Sequence, residues 1–156
     1  MLSAFLVVLT LFLCSCEKET FSHCEMTIPL DESFERIDLE GFDAAFSDGL
    51  LSVALTRISF DAAVNNGIPD TLSSNQFARF WLLECGRDVE PTLYGGVDCA
   101  EYTDVMGGIS YTTVGAFYRS KYAYFIVVFT TESSTFDVYR ESVYRYLSGV
   151  YFTDPK

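Results

Sequence analysis

Histidine is all but missing from this chain: among 156 residues, only His23 carries an imidazole. A Ser-His-Asp triad, a Cys-His dyad or a site with two histidine ligands therefore cannot be assembled within one folded domain. Basic residues are also scarce, with ten Lys and Arg against 22 Asp and Glu and a formal charge of −12. Nucleic-acid affinity rests on neutralising phosphates with cations, so DNA and RNA are excluded as partners. Anionic headgroups repel such a protein as well, and any hold on a membrane must come from something other than its average charge. Gly95-Gly96 and Gly107-Gly108 lack the strand-to-helix context and the following Lys of a phosphate loop, and read as turns. The apolar run from Leu2 to Leu13 falls short of the roughly twenty residues that a membrane-crossing helix needs.

That run does suit the core of an export signal. It has none of the polar residues at helical spacing that a buried helix would show. The text that follows, Leu13-Cys14-Ser15-Cys16, resembles a bacterial lipobox, with an aliphatic residue at −3, a small residue at −1 and cysteine at +1. Cys14 fits that place less well, because bulky Leu13 would then stand at −1. The resemblance implies that residues 1–15 are removed and that Cys16 is acylated. Each buried CH₂ adds about 0.8 kcal/mol of membrane affinity, so several chains anchor a protein stably. No Lys or Arg precedes Cys16, which leaves the Met1 amino group as the positive charge of the signal. Glu17-Lys18-Glu19 resembles the short acidic signals that route some lipoproteins outward. The expected location is the bacterial outer membrane, lipid-anchored, on either its periplasmic face or the cell surface.

Residues 16–27 then form a tether, and residues 28–156 have the size of one domain. A chain of that length buries roughly two thirds of its unfolded surface and needs no staples. Three cysteines remain after processing: Cys24, Cys85 and Cys99. The exported compartment permits disulfides, and a Cys85–Cys99 bridge would close a loop of about fifteen residues, worth ~3 kcal/mol. The alternative is that Cys85 is an apolar residue at a helix end. His23 and Cys24 sit in the tether and read as solvated linker.

Residues 28–41 are acidic and read as an entry segment with one short extended piece. Asp48-Gly49 supplies the turn of a hairpin between Phe42–Phe46 and Leu50–Ser59. Leu51, Val53 and Leu55 lie on one face of its second strand. Phe60 to Ile68 is a short helical turn. Ser73 or Ser74 caps a helix running to Cys85, with Gly86 in the C′ position and Trp81 taken as core. Val97–Val105, Ile109–Arg119 and Tyr122–Thr131 read as three consecutive antiparallel strands. The last is apolar on both faces, as a strand covered on two sides would be. Ser134 with Asp137 starts a final helix to Ser148, whose stripe is Phe136, Tyr139, Val143 and Leu147.

The order hairpin, helix, three strands, helix predicts a single-domain α+β fold with helices packed on an antiparallel sheet. In Asp48–Arg57, Tyr118–Phe129 and Phe136–Phe152 the chain resembles the PsbP/Mog-type fold, including small bacterial lipoproteins of that group. The resemblance implies a non-enzymatic binding or assembly module. Tyr111, Tyr118, Tyr122 and Tyr124 are the candidate binding face, since tyrosine offers large contact area at low entropic cost. The expected partners are the membrane, through the lipid, and an envelope protein or glycan. No cofactor or metal is expected. A carboxylate-dependent envelope hydrolase, which needs no histidine, is the alternative. Asp98, Glu101 and Asp104 on one strand, or the acidic run from Asp31 to Asp43, would offer oxygen ligands to calcium, though neither has the spacing of a known calcium loop.

Overall fold

Part of the expected tether is drawn into the fold. The computed structural model describes residues 20–23 and 25–153. In it, β1 (Thr20–His23) and β2 (Met26–Pro29) form an antiparallel hairpin, and β2 pairs on its other side with the last strand, β10 (Tyr151–Phe152). Cys16, the signal at residues 1–15 and Cys24 lie outside the described residues. The domain therefore takes in residues that the sequence assigns to linker. Among the described residues no helix is long and apolar enough to cross a membrane.

The main sheet has seven antiparallel strands. They are β3 (Glu35–Ile37), β4 (Ala44–Ser47), β5 (Ser52–Ser59), β6 (Thr92–Tyr94), β7 (Val97–Met106), β8 (Ile109–Arg119) and β9 (Ala123–Glu132), ordered β3-β4-β5-β9-β8-β7-β6. Its long strands are joined by the turns the sequence announces. Asp48 accepts from the backbone N–H of Leu50 at 2.9 Å and of Leu51 at 2.7 Å, and Gly49 takes a φ of +94°. Gly107 and Gly108 both take positive φ between β7 and β8. The expected α+β architecture, an antiparallel sheet with helices packed on it, is the observed one.

Both faces of this sheet are covered. On one lie α1 (Phe60–Asn65) and α2 (Ser74–Glu84), on the other α3 (Phe136–Ser148) with the β1–β2 hairpin. Ser73 caps α2 by accepting from Gln76 N–H at 3.2 Å, and the Gln76 side chain accepts in return from Ser73 N–H at 2.9 Å. Phe77, Leu82, Ala100, Phe117, Tyr124 and Ile126 form the α2-side core. Trp81 is half-buried at its margin, 6.1 Å from the Phe77 ring. Met26, Leu51, Leu55, Val114, Phe129 and Leu147 build the α3-side core. Alternation along β5 sends Leu51, Val53 and Leu55 together to the α3 side, as expected.

α3 begins two residues later than its Ser134–Asp137 pattern predicts. Thr135 stands at its N-cap in a helical conformation, φ −107° and ψ −10°, without a capping side-chain bond. The Thr135 hydroxyl instead donates to the Glu132 carbonyl at 2.9 Å. The expected stripe is otherwise kept, with Phe136, Val143 and Leu147 buried and Tyr139 half-buried, and Tyr146 joins them.

Candidate functional site

The four tyrosines expected to share a face are dispersed by the pleat. Tyr118 is 8% exposed and its hydroxyl donates to the Leu147 carbonyl at 3.0 Å, on the α3 side. Tyr124 is wholly buried on the opposite side, where its hydroxyl donates to the Pro69 carbonyl at 2.7 Å. In the β8–β9 register Tyr118 faces Phe125 and Arg119 faces Tyr124, so adjacent positions alternate between two covered layers. A sheet packed on both sides has no open tyrosine face to offer. Tyr111 and Tyr122 stay accessible, at opposite ends of the sheet.

Tyr111 belongs to a groove at one of those ends. Leu50 from the β4–β5 turn and Met106 from the end of β7 form its rim, Thr130 and Thr131 its floor, and Glu132 closes one side around about 430 Å³. Leu50 is 64% exposed and Met106 59%, and exposed Val105 and Ile109 extend the same hairpin tip. The floor is ordered by hydroxyl pairs: Thr113 and Thr130 lie 3.0 Å apart, and Thr131 and Thr135 2.9 Å. The sequence does not mark this place, because Leu50 sits in a turn and Met106 at the end of a strand, where no periodicity separates a core residue from an exposed one.

Tyr122 belongs to a second hollow at the other end, of about 600 Å³, between the start of β2, the β8–β9 turn and the segment after β10. Here the buried Glu25 carboxylate accepts from the Ser120 hydroxyl and pairs with Arg57 Nη2 at 3.5 Å. Ser120 Oγ in turn accepts from the N–H of Tyr122 at 3.0 Å and of Ala123 at 3.1 Å. The hydroxyl thus holds the turn and donates its hydrogen bond to Glu25, a lock between chain segments.

The cluster Asp98, Glu101 and Asp104 is divided by the same alternation. Asp98 accepts from Ser74 and Asn75 of α2, and Asp104 pairs with Arg87 through both oxygens. Glu101 faces α3, where it pairs with Arg140 at 2.8 Å and accepts from the Tyr144 hydroxyl at 3.3 Å. Among the described residues no group of three or more His, Cys, Asp or Glu is placed to hold a metal ion.

Cys85 and Cys99 are corrected in the same way: both are free thiols. Cys85 caps the end of α2 in the open, whereas Cys99 points into the α3-side core and the sheet stands between them. Burial, with the Asp98 charge second, pushes the Cys99 thiol up to about 12. Tyr144 and Tyr146 are also pushed up to about 12, by burial first and then by the Glu101 charge and the Asp31 hydrogen bond respectively. Iodoacetamide at pH 8 is accordingly expected to modify Cys85 and to spare Cys99 until denaturant is added, as read by peptide mass spectrometry. A folded-state value above the ordinary 9.0 for Cys99 stabilises the fold below pH 9, and this contribution is lost as the pH rises toward 12. The melting temperature is expected to fall across that window.

No protein-family model matches the chain, and no curated protein matches its sequence. Among solved structures, a crystal structure from Bacteroides thetaiotaomicron superimposes with a TM-score of 0.56 at 12% identity, over 83% of this chain and 45% of that one. The likeness is one of fold. This chain spans less than half the length of that protein. The solution structure of cyanobacterial PsbP (CyanoP) from Synechocystis sp. PCC 6803 aligns with a TM-score of 0.45 at 12% identity, over 86% of this chain and 92% of that one.

Proposed function

We propose that this protein is a lipid-anchored binding module of the bacterial outer membrane, with a PsbP/Mog-type domain that engages an envelope protein through the Leu50–Met106–Tyr111 groove. Exposed apolar side chains occur singly elsewhere, at Leu83, Leu93 and Val138, and the observation that carries this reading is the grouping of exposed Leu50, Val105, Met106 and Ile109 around a recess. Large aliphatic side chains left in water at two neighbouring turns are costly unless something covers them, and grouped apolar exposure marks contact sites. The rim is aliphatic, which suits an apolar side chain of a protein more than the flat stacking that a glycan asks for. The hydroxyl floor and Glu132 supply acceptors and donors to orient what enters. The Cys16 anchor supports the address: it follows from the resemblance of Leu13–Cys16 to a lipobox and from the absence of basic charge on the average surface.

The hydrolase alternative gains nothing from the Asp98, Glu101 and Asp104 carboxylates. Asp98 and Asp104 are spent on α2 and Arg87, and Glu101 is spent on Arg140 across the sheet.

A photo-crosslinker placed at Met106 in the full-length, exported protein is expected to give one adduct of defined mass, and one placed at exposed Glu141 of α3 none. The double variant Leu50→Asp/Met106→Asp should keep its melting temperature, because both side chains are exposed, yet lose about tenfold or more of partner capture. Equal capture by parent and variant, or a glycan adduct at Met106, would sink the proposal.

A further inference from the structure

The groove proposed above as the binding site also carries a place for a cation. We propose that Glu132 and Tyr111 take up an arginine of the bound protein, two residues along an extended segment from the apolar side chain that covers Met106. The inference rests on the proposed groove and adds to it the chemistry of the segment that enters.

The chain itself shows how such a site is filled. The Arg87 guanidinium pairs with both oxygens of Asp104 and lies 4.8 Å from the Tyr102 ring centroid. Arg140 pairs with Glu101 at 2.8 Å and lies 4.4 Å from the Phe136 ring. Arg145 pairs with Asp31 at 3.2 Å and lies 5.2 Å from the Tyr146 ring. In each case a carboxylate accepts from the guanidinium N–H groups while an aromatic face meets its charge, and both attractions act on one cation.

Glu132 and Tyr111 repeat this arrangement in the groove. They face each other directly in the β8–β9 register, so both side chains leave the same side of the sheet, with Cβ atoms about 5 Å apart. Asp104 faces Tyr111 from β7, which puts the ring between two carboxylates in one row. Arg87 neutralises Asp104 and is held there by both oxygens. Among the described residues no Lys or Arg forms an ion pair with Glu132, whose side chain is exposed. Asp48, in the turn that carries Leu50, accepts from the Leu50 and Leu51 N–H groups and closes that turn. Glu132 is thus the charged side chain that lines the groove, and its sign asks for a cation.

The spacing of the apolar and cationic places describes the segment. Met106 lies two residues beyond Asp104 on β7, on the same side of the sheet, and is diagonal to Tyr111 at about 7–8 Å. Residues i and i+2 of an extended chain stand about 7 Å apart and point the same way. An aliphatic residue and an arginine two positions away therefore reach Met106 and the Glu132–Tyr111 pair together. Arginine suits the pair better than lysine, because its planar guanidinium meets a carboxylate with two donors while stacking on a ring.

Titration of the full-length protein in detergent micelles with two fluorophore-labelled peptides tests this. One has the core Leu-Ser-Arg; the other carries citrulline, which keeps the shape and loses the charge, in place of the arginine. By fluorescence anisotropy the arginine peptide is expected to bind about five- to tenfold more tightly, a gap that added salt narrows. Glu132→Gln should erase most of the gap and keep the parent melting temperature, since the side chain it alters is exposed. Tyr111→Leu should shrink the gap about threefold, while Tyr111→Phe, which retains the ring, preserves it. Equal binding of the two peptides, binding of neither, or a gap that survives in Glu132→Gln would overturn the cation site. The Met106 crosslink decides the groove separately: an adduct there alongside equal peptide affinities overturns the cation site and leaves the binding module standing, whereas no adduct and no peptide bound overturns both.

Discussion

Phe77→Ala is expected to lower the melting temperature by about 10–15 °C, the largest effect of any single truncation proposed for this domain. Phe77 is fully buried and lies at the centre of the α2-side core. Its ring stacks on Tyr124 with centroids 4.2 Å apart and planes 10° apart, and meets Phe117 edge-on at 6.3 Å. Truncation removes the transfer energy of a phenyl ring and opens a cavity whose far wall is the sheet, which cannot collapse onto α2. Such changes cost ~3–5 kcal/mol. Loss of the stacked partner also loosens Tyr124, whose hydroxyl holds the Pro69 carbonyl and with it the connector into α2. Phe77→Leu retains most of the apolar volume and should cost less than half as much. Differential scanning calorimetry of the three proteins checks the series, and a parent-like midpoint for Phe77→Ala would show that α2 is not structurally coupled to the sheet.

Glu25→Ala is expected to follow closely, at about 2–3 kcal/mol. The carboxylate is 2% exposed and neutralises Arg57, whose Nε is buried without a hydrogen-bond partner among the described residues. Breaking a fully buried ion pair costs ~3–5 kcal/mol because the remaining charge stays uncompensated. The Arg57 side chain is 23% exposed and recovers some solvation, which lowers the figure. Glu25→Gln keeps an acceptor for the Ser120 hydroxyl and gives up the charge, and should fall between the parent and the alanine variant. Arg57→Met removes the charge that needs compensation and should partly rescue Glu25→Ala. Urea unfolding of the four proteins as a double-mutant cycle measures the coupling. Additive losses would mean that Glu25 acts through Ser120 alone.

What the sequence made legible was local. Asp48-Gly49, Gly107-Gly108 and the cap at Ser73 or Ser74 each encode a bond or a backbone angle within a few residues, and the structure has the turns there and the cap at Ser73. The apolar run Tyr122–Phe129 announces a strand covered twice, and β9 is that strand. The same double covering hid which way each tyrosine points, because a run apolar on both faces has no polar phase to mark the outside. Tyr118 and Tyr124 were therefore grouped although they belong to different layers. Cys85 and Cys99 are near in sequence, and only the position of the sheet between them shows that they cannot meet. β1, β2 and β10 escaped notice for a further reason. They are two to four residues long; among the described residues β1 pairs only with its neighbour β2, and β2 and β10 pair with each other across most of the sequence.

That pairing sets an order of events. β2 receives Tyr151 and Phe152, and the Glu25 carbonyl accepts from Thr153 N–H at 2.8 Å. The small sheet cannot close until Tyr151 and Phe152 have reached β2, about 125 residues along the chain from their partners. Contacts between the two ends carry the heaviest loop-closure cost and form late. The β1–β2 hairpin would thus gain its last partner only after the seven-stranded sheet has assembled, and it is the part of the fold that stiffens last.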